Sequence, residues 1–403
     1  MIKKIKIEDL QIGMFVHDFQ GGWQDATIFI DQMTVNDLKV IEILRSWGIR
    51  EVLIDTSRGR DIADSAAADK VRPAAEKKAS PPSSRKKPGP SPVPFETEVK
   101  QAEKIKHEAI AVVNDITKRA REGKPPDVSL AFDVATKMMS SVRRNRDALV
   151  LLTRMRHKDE YTLYHSMSVS SLILTFCDFL EISESRALDM AVGALLHDIG
   201  KAMIPDAILN KPAKLTPAEF EVMKMHAEYS VDLLRKAKSL PLDCFDIALH
   251  HHERFDGSGY PHGLDQGRIG VGALMTAICD VFDAITSNRC YKEGMGVVSA
   301  LKLIYAGSGS HFHKQLAYEF IECMGVYPVG SCVRLSDGKI GIVSGRTGDM
   351  EKPIVKIVHD NQRKEKFTPF TLDLSPTDIT ITGYEPFMTM GLNPSKALSI
   401  ICR

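Results

Sequence analysis

Between residues 165 and 280 the chain sets metal-ligating side chains at a nearly constant interval. His165 is followed by His197-Asp198, His226, His251-His252 and Asp280, in steps of 32, 28, 25 and 28 residues (165 to 197, 198 to 226, 226 to 251, 252 to 280). Each step is about one helix plus a turn. The text between them is helical: VSLAFDVATKMMSSVR, EYTLYHSMSVSSLILTFCDFL, ESRALDMAVGALLHDIG, PAEFEVMKMHAEYSVDLLRKA, LDCFDIALHHHERF and GALMTAICDVFDAITSNR space their apolar residues by three and four, with Gly or Pro at the joins. Helices of a bundle that pass a common point can each drop a side chain into it. One such histidine alone is usually a satisfied core residue. Seven ionisable groups on consecutive apolar helices need partners, and a shared site supplies them. The spacing predicts an all-α domain over 128–326.

Within it, the stretch HHERFDGSGYPHGL (251–264) is the most specific. Adjacent residues on a helix point about 100° apart, so His251 and His252 can face one centre only at a helix end or distortion. Gly257, Gly259 and Pro261 supply that end. His250 is a third consecutive histidine and is assigned no ligand role.

Imidazole is the commonest transition-metal ligand, and with carboxylates beside it the expected ions are iron or manganese, with zinc behind them. One ion cannot use all seven groups and keep an open position, so two divalent ions per chain are expected. Two adjacent metals activate water at neutral pH and clamp the oxygens of a phosphoester. Asp198, following His197 at a helix end with Gly200 as cap, is placed to bridge both. Lys201, one turn from His197, offers a cation to a phosphate oxygen. Asp283, one turn from Asp280, is expected to orient neighbouring groups, and Glu253 is a further candidate for that supporting role, with a simple helix-end salt bridge as the alternative. No GxGxxG, Walker-type glycine loop, GxSxG or Cys-His nucleophile arrangement competes.

The rest of the chain gives the expected organisation. Residues 1–56 read as a small α+β domain of structural or sensing character: strand-like IKIEDL and MFVHDF around Gly13, a helix in NDLKVIEILRSWGI, and a strand in EVLID. Residues 57–94 are rich in Pro, Ser, Ala and Lys with almost no large apolar residue, the composition of a disordered linker. Over 95–127 a connecting helix carries Val99, Ala102, Ile105, Ala109, Val112, Val113 and Ile116 as a stripe, suited to packing on the next domain or to pairing with a second copy. Residues 327–403 read as a small β appendage, with a hairpin at Asp337-Gly338. A formal net charge of +1 gives no reason to expect nucleic acid as a partner. There is no signal-type apolar region after MIKKIKIEDL and no membrane-spanning run, so a cytoplasmic protein is expected. Seven scattered cysteines without a CxxC pair indicate neither a disulfide framework nor a cysteine zinc site.

At these residues the sequence is similar to a known family. LLHDIGK, with His197-Asp198, resembles the HD phosphohydrolase superfamily, and HHERFDGSGYP resembles the HD-GYP subfamily of bacterial cyclic di-GMP phosphodiesterases. The resemblance runs through YHS (164–166), LLHDIGKAMIPDAILNKPAKLT, MHAEYS and ICDVFDAITSNRCYK, roughly residues 130–325, and the N-terminal IKIEDLQIGMFV resembles a small domain often found ahead of HD-GYP domains. It implies that His165, His197, Asp198 and Asp280 hold one ion, and that Asp198, His226, His251 and His252 hold the second. It further implies that Lys201, Arg289 and Lys292 contact substrate phosphates, and that the Gly-Tyr-Pro turn, with Tyr260, shapes the pocket and an interaction surface for signalling proteins. Two departures stand out. Tyr161 occupies the position where some relatives carry a third-metal glutamate, and GSHFHKQL replaces a Phe-Asp-Pro segment.

The function so implied is metal-dependent hydrolysis of cyclic di-GMP to pGpG, with onward cleavage to GMP left open, lowering the second messenger and shifting cells from biofilm to motility. The alternatives are a low-turnover cyclic di-GMP receptor or scaffold, and an HD hydrolase of another nucleotide. The complete ligand set weighs against the first, and the RxYK and GYP features against the second.

Overall fold

A computed structural model describes residues 2–18, 33–34, 41, 51–60, 93–154, 161–237, 239–287, 295–349, 351–360, 368–385, 392 and 394–402. Contacts divide the chain into two compact units, residues 1–89 and 90–403.

In the first unit, strands β1 (Ile2–Lys6), β2 (Phe15–Asp18), β3 (Met33–Thr34) and β4 (Glu51–Asp55) form one antiparallel sheet in the order β1-β4-β2-β3. Ile5, Val16, Val52 and Ile54 alternate onto its buried face. The IEDL part of the expected first strand is instead a single tight turn, Ile7–Asp9, because Leu10 N–H closes back onto the Ile7 carbonyl. The expected helix at 36–49 lies, apart from Ile41, outside the described residues, as does most of the expected linker.

The second unit is mainly helical: α1 (Phe95–Arg121), α2 (Ser129–Arg144), α3 (Arg146–Arg154), α4 (Tyr161–Phe179), α5 (Glu184–Leu196), α6 (Asp206–Leu209), α7 (Pro217–Lys224), α8 (His226–Leu234), α9 (Leu242–His250), α10 (Val271–Thr286), α11 (Val297–Ala306), α12 (Lys314–Met324) and, near the end of the chain, α13 (Pro394–Ile401). The apolar stripe of α1 is buried within the chain, from Phe95 through Ile105 and Ile116 to Ala120. PAEFEVMKMHAEYSVDLLRKA, read as one helix, is broken at Met225 into α7 and α8. Thr216 and Glu219 close a reciprocal capping box at the start of α7. At α12, where GSHFHKQL replaces Phe-Asp-Pro, the His313 imidazole accepts from Leu316 N–H and Phe312 is buried, so the helix start is capped and packed by other means.

The C-terminal sheet contains β5 (Cys332–Leu335), β6 (Lys339–Gly345), β7 (Ile354–Asp360), β8 (Phe370–Asp373) and β9 (Ile381–Tyr384), antiparallel in the order β8-β7-β6-β5-β9. Its first hairpin turns at Gly338, whose positive φ of 83° suits a residue without a Cβ. Val333, Ile342, Val355 and Ile357 belong to the same hydrophobic core as α1 to α5, and a Cβ on Gly330 would come within 2.3 Å of Leu151, so sheet and bundle meet closely. The two also share a bidentate ion pair, with Arg346 Nη2 donating to Asp147 Oδ1 at 2.7 Å and Nε to Oδ2 at 3.0 Å.

Candidate metal centre

Each element supplies the centre from a place where its regular hydrogen bonding starts or stops, apart from α10. His165 lies in the first turns of α4. His197 and Asp198 follow α5, where the chain tightens into a short turn, Ile199–Met203. His226 begins α8, and His251 and His252 follow the last residue of α9. Asp280 and Asp283 project from α10. The turn after Asp198 touches α8 directly. A Cβ on Gly200 would come within 2.0 Å of the His226 carbonyl, and Ser230 Oγ accepts from Gly200 N–H while donating to the His197 carbonyl, both at 2.8 Å. Only glycine permits that approach, which brings His197, Asp198 and His226 to one point.

The seven candidate ligands form two groups whose ligand atoms lie within 4.8 Å of one another: Asp198, His226, His251 and His252, and His165, His197 and Asp280. Asp198 lies between them. Its Oδ1 is 3.3 Å from His226 Nε2 and 3.8 Å from His251 Nε2. Its Oδ2 is 3.3 Å from His197 Nε2 and 3.8 Å from His165 Nε2. Asp280 Oδ1 is 2.9 Å from His165 Nε2, and its Oδ2 is 3.8 Å from His252 Nδ1. All are buried except His252, which is half-buried.

The imidazoles are held from behind. His197 Nδ1 donates to the Ala194 carbonyl and His226 Nδ1 to that of Met223, both at 2.7 Å, while His251 Nδ1 donates to those of Ile247 and Ala248 at 3.1 and 3.2 Å. A carbonyl can only accept, so in the neutral rings each Nε2 is the lone-pair nitrogen and faces the centre. His226 Nε2 and His251 Nε2 then face each other at 3.4 Å with no proton between them. Burial holds the His226 pKa down to about 4, His252 to about 3, and His251 well below its ordinary value, so these rings stay neutral. Burial also opposes charge on His165, but Asp280 and Asp283 outweigh it and raise its pKa to about 9. Against the same burial, Lys201 keeps the Asp198 carboxyl well below the usual range, and His165 does so for Asp280.

Among the described residues, His197 Nε2 and Asp198 Oδ1 are buried without a hydrogen-bond partner. Opposed lone pairs, orphaned acceptors and ionised carboxylates are what divalent cations would satisfy, so this donor set fits metal ions.

The remaining sequence candidates divide. Lys201 Nζ donates to Asp198 Oδ2, and both residues line one cavity. Asp283 Oδ2 is 2.7 Å from His165 Nδ1, and its Oδ1 accepts from Ser168 Oγ, contacts that hold that ring from behind. Glu253 is buried, but its carboxylate accepts from the backbone N–H groups of His262 at 2.7 Å and Leu264 at 3.0 Å. It fastens the glycine-rich loop, not an imidazole. That loop lays the Tyr260 ring beside His252, with centroids 4.7 Å apart, and burial pushes the phenol pKa up, so Tyr260 stays protonated. Gly259 is required there, since a Cβ would come within 2.3 Å of Arg254 N. His250 turns away to Asp246 and His262. Arg289 and Lys292 lie outside the described residues. Sequence reasoning missed Ser168 and Ser230, because a serine on an apolar helix carries no signal until its partners are known.

Two family models match the chain: an HD domain over residues 137–316, and a domain of unknown function, DUF3391, over 2–131. A cyclic di-GMP phosphodiesterase of Pseudomonas aeruginosa is 36% identical over 390 residues, 96% of this chain and 92% of that protein. A cyclic di-GMP phosphodiesterase of Thermotoga maritima is 38% identical over 41% of this chain and 45% of its own length. A 3'3'-cGAMP-specific phosphodiesterase of Vibrio cholerae is 33% identical over 49% of this chain and 38% of its own. Among solved structures, an HDG"Y"P protein from Bdellovibrio bacteriovorus aligns over 80% of this chain and 99% of its own, at 16% identity and a TM-score of 0.47.

Proposed function

This chain belongs to the HD-GYP family of cyclic di-GMP phosphodiesterases, and from that premise we propose that it hydrolyses cyclic di-GMP to pGpG with two divalent ions, iron or manganese, held by the seven clustered side chains. The observation that carries the reading is Asp198, whose two oxygens face two different imidazole groups while one of them lacks any hydrogen bond. His165, His197, Asp198 and Asp280 would hold one ion, and Asp198, His226, His251 and His252 the other. Bound there, the ions would acidify a water and neutralise phosphoryl charge.

The protein's own residues do the rest. The carbonyls behind His197, His226 and His251 present Nε2 to the centre, and Asp283 aims His165. Lys201, whose Nζ now donates to Asp198, is close enough to the cavity to donate instead to a phosphoryl oxygen as charge builds there. Tyr260, a protonated phenol beside His252, would offer a neutral donor. Arg289 and Lys292 would take further phosphate oxygens.

Cyclic di-GMP is preferred over 3'3'-cGAMP because the relative named for the former is matched along almost its whole length, the latter over 38%. The test pairs elemental analysis of anaerobically purified protein with chromatography of its products from both dinucleotides. About two iron or manganese ions per chain with pGpG accumulating is the expected result. Metal and nucleotide binding without turnover would replace the enzyme by a receptor, and turnover of 3'3'-cGAMP alone would replace the substrate.

A further inference from the structure

The cavity that opens onto Asp198 and Lys201 is closed on another side by α1, a helix that carries none of the candidate ligands. α1 shows two neighbouring stripes there. Val113, Ile116 and Ala120 are buried in the shared core. One step round the helix, Asn114, Thr117 and Arg121 line the cavity, three and four residues apart and therefore on one face. The HD-domain match begins only at residue 137, and α1 falls within the 2–131 match to the domain of unknown function. A wall of the pocket thus comes from outside the HD domain.

A cyclic dinucleotide carries two phosphodiesters on opposite sides of one ring. With one at the metal-ligating cluster, the other lies away from it with its charge intact, and a site that selects such a ring needs a second cation at a distance from the first. Among the described residues, two cations line this cavity, Lys201 and Arg121. Lys201 is engaged by Asp198. Arg121 is exposed and has no ion pair or side-chain hydrogen bond to another described residue. Its place in the last turn of α1 is suited to the negative end of the helix, but Lys118 and Arg119 share that turn without lining the cavity. A guanidinium can donate two parallel hydrogen bonds to one phosphate, and the Asn114 and Thr117 side chains add neutral polar groups on the same face.

Resting on the phosphodiesterase reading above, we propose that Arg121, with Thr117 and Asn114, forms the subsite for the non-scissile phosphodiester of a cyclic dinucleotide, so that the segment ahead of the HD domain helps to select the substrate. Arg121 is a substrate-binding residue in this scheme and takes no part in bond cleavage.

The test is steady-state kinetics of the full-length, metal-loaded enzyme on cyclic di-GMP and on bis(p-nitrophenyl) phosphate, which has a single phosphodiester. Arg121→Ala is expected to raise KM for cyclic di-GMP about tenfold with a smaller change in kcat, and to lower the ratio of kcat/KM between the two substrates by a similar factor. Arg121→Lys should recover part of that ratio, and Lys118→Ala, on the same turn but off the cavity, should leave it at the wild-type value. An Arg121→Ala enzyme with unchanged KM for cyclic di-GMP, or with equal losses on both substrates, overturns the subsite. A wild-type enzyme that cleaves bis(p-nitrophenyl) phosphate but no cyclic dinucleotide overturns the substrate reading itself, and is told apart because it fails before any variant is made.

Discussion

Two regions of the second unit bury charge, and they do so in opposite ways. Where α1, α2 and the C-terminal sheet meet the bundle, charges are matched. Glu98 is buried and accepts from Arg144 Nε at 2.6 Å, from Arg144 Nη2 at 2.8 Å and from Ser141 Oγ at 2.6 Å. Asp147 takes Arg346 in a fork, and Arg346 Nη1 goes on to the Cys323 carbonyl at 3.0 Å. At the candidate metal centre the same chemistry is left incomplete: His197 Nε2 and Asp198 Oδ1 have no hydrogen bond, and the lone pairs of His226 and His251 oppose each other. The other two buried atoms without partners among the described residues are Ser331 Oγ and Arg146 Nε, in a guanidinium that donates elsewhere through Nη2. A satisfied ion pair between elements serves the fold. A convergent set of unsatisfied acceptors costs stability and persists where a cation is to be bound.

That contrast is most sharply broken or upheld at Asp198. Asp198→Asn keeps the volume, removes the charge that both groups share, and should cut kcat for cyclic di-GMP at least about a thousandfold, on the order of 4 kcal/mol. Metal content should fall with it. The thermal midpoint of metal-free protein should fall only modestly, because the ion pair with partly exposed Lys201 is lost while the unpartnered charge on Oδ1 is removed with it. Full turnover in this variant would remove Asp198 from the centre, and a collapse of metal-free stability would make it a structural acid like Asp147.

The opposite outcome is expected at the seam. Asp147→Ala strands a largely buried guanidinium and should destabilise the second unit by about 3 kcal/mol, at the low end for a broken buried pair because both side chains keep some solvent. Activity per folded molecule should be retained. Urea melts together with kcat at low denaturant measure both, and a stable but inactive Asp147→Ala protein would mean that the sheet acts on the site after all.

How much of this could be read in the sequence depends on the range over which each feature is specified. The ladder from His165 to Asp280 is legible because histidine and aspartate are rare on apolar helix faces, and a repeat near one helix plus a turn leaves few other arrangements. The helix end ahead of His251-His252 follows from the glycines and proline beyond it. The break at Met225 does not, since no Gly or Pro marks it and the contact of His226 with Gly200 is tertiary. Arg346 and Asp147 are 199 residues apart, and no local pattern pairs them. The polar stripe of α1 reads as an ordinary solvent face, because Asn114, Thr117 and Arg121 differ from their neighbours only in what they look onto. The partners of Glu253 are not legible either: its sequence neighbours are histidines, while its hydrogen bonds go to amides 9 and 11 residues on.

The supporting residues of the centre should show intermediate effects. Asp283→Asn weakens the hold on His165 Nδ1 and is expected to lower metal affinity about 10- to 100-fold, with turnover recovering when metal is raised in the assay. Activity that stays low in saturating metal would show that Asp283 does more than aim the ring.

The smallest effect is expected at Glu253, where only the loop is at stake. Glu253→Gln keeps the shape and one carbonyl acceptor, so it can hold one of the two amides, His262 N–H or Leu264 N–H, but not both as the carboxylate does. The amide left over loses a hydrogen bond to a charged acceptor, about 1 kcal/mol beyond a neutral bond. The loop carrying Tyr260 should loosen over His252 while the imidazoles, fixed by carbonyls behind them, stay in place. KM for cyclic di-GMP should therefore rise severalfold with metal content unchanged, the reverse of the pattern at Asp283. Titration of metal and of substrate on the two variants side by side separates the roles. Loss of metal in Glu253→Gln would tie the loop to the ligand set, and the division between an aimed centre and a fastened loop would have to be given up.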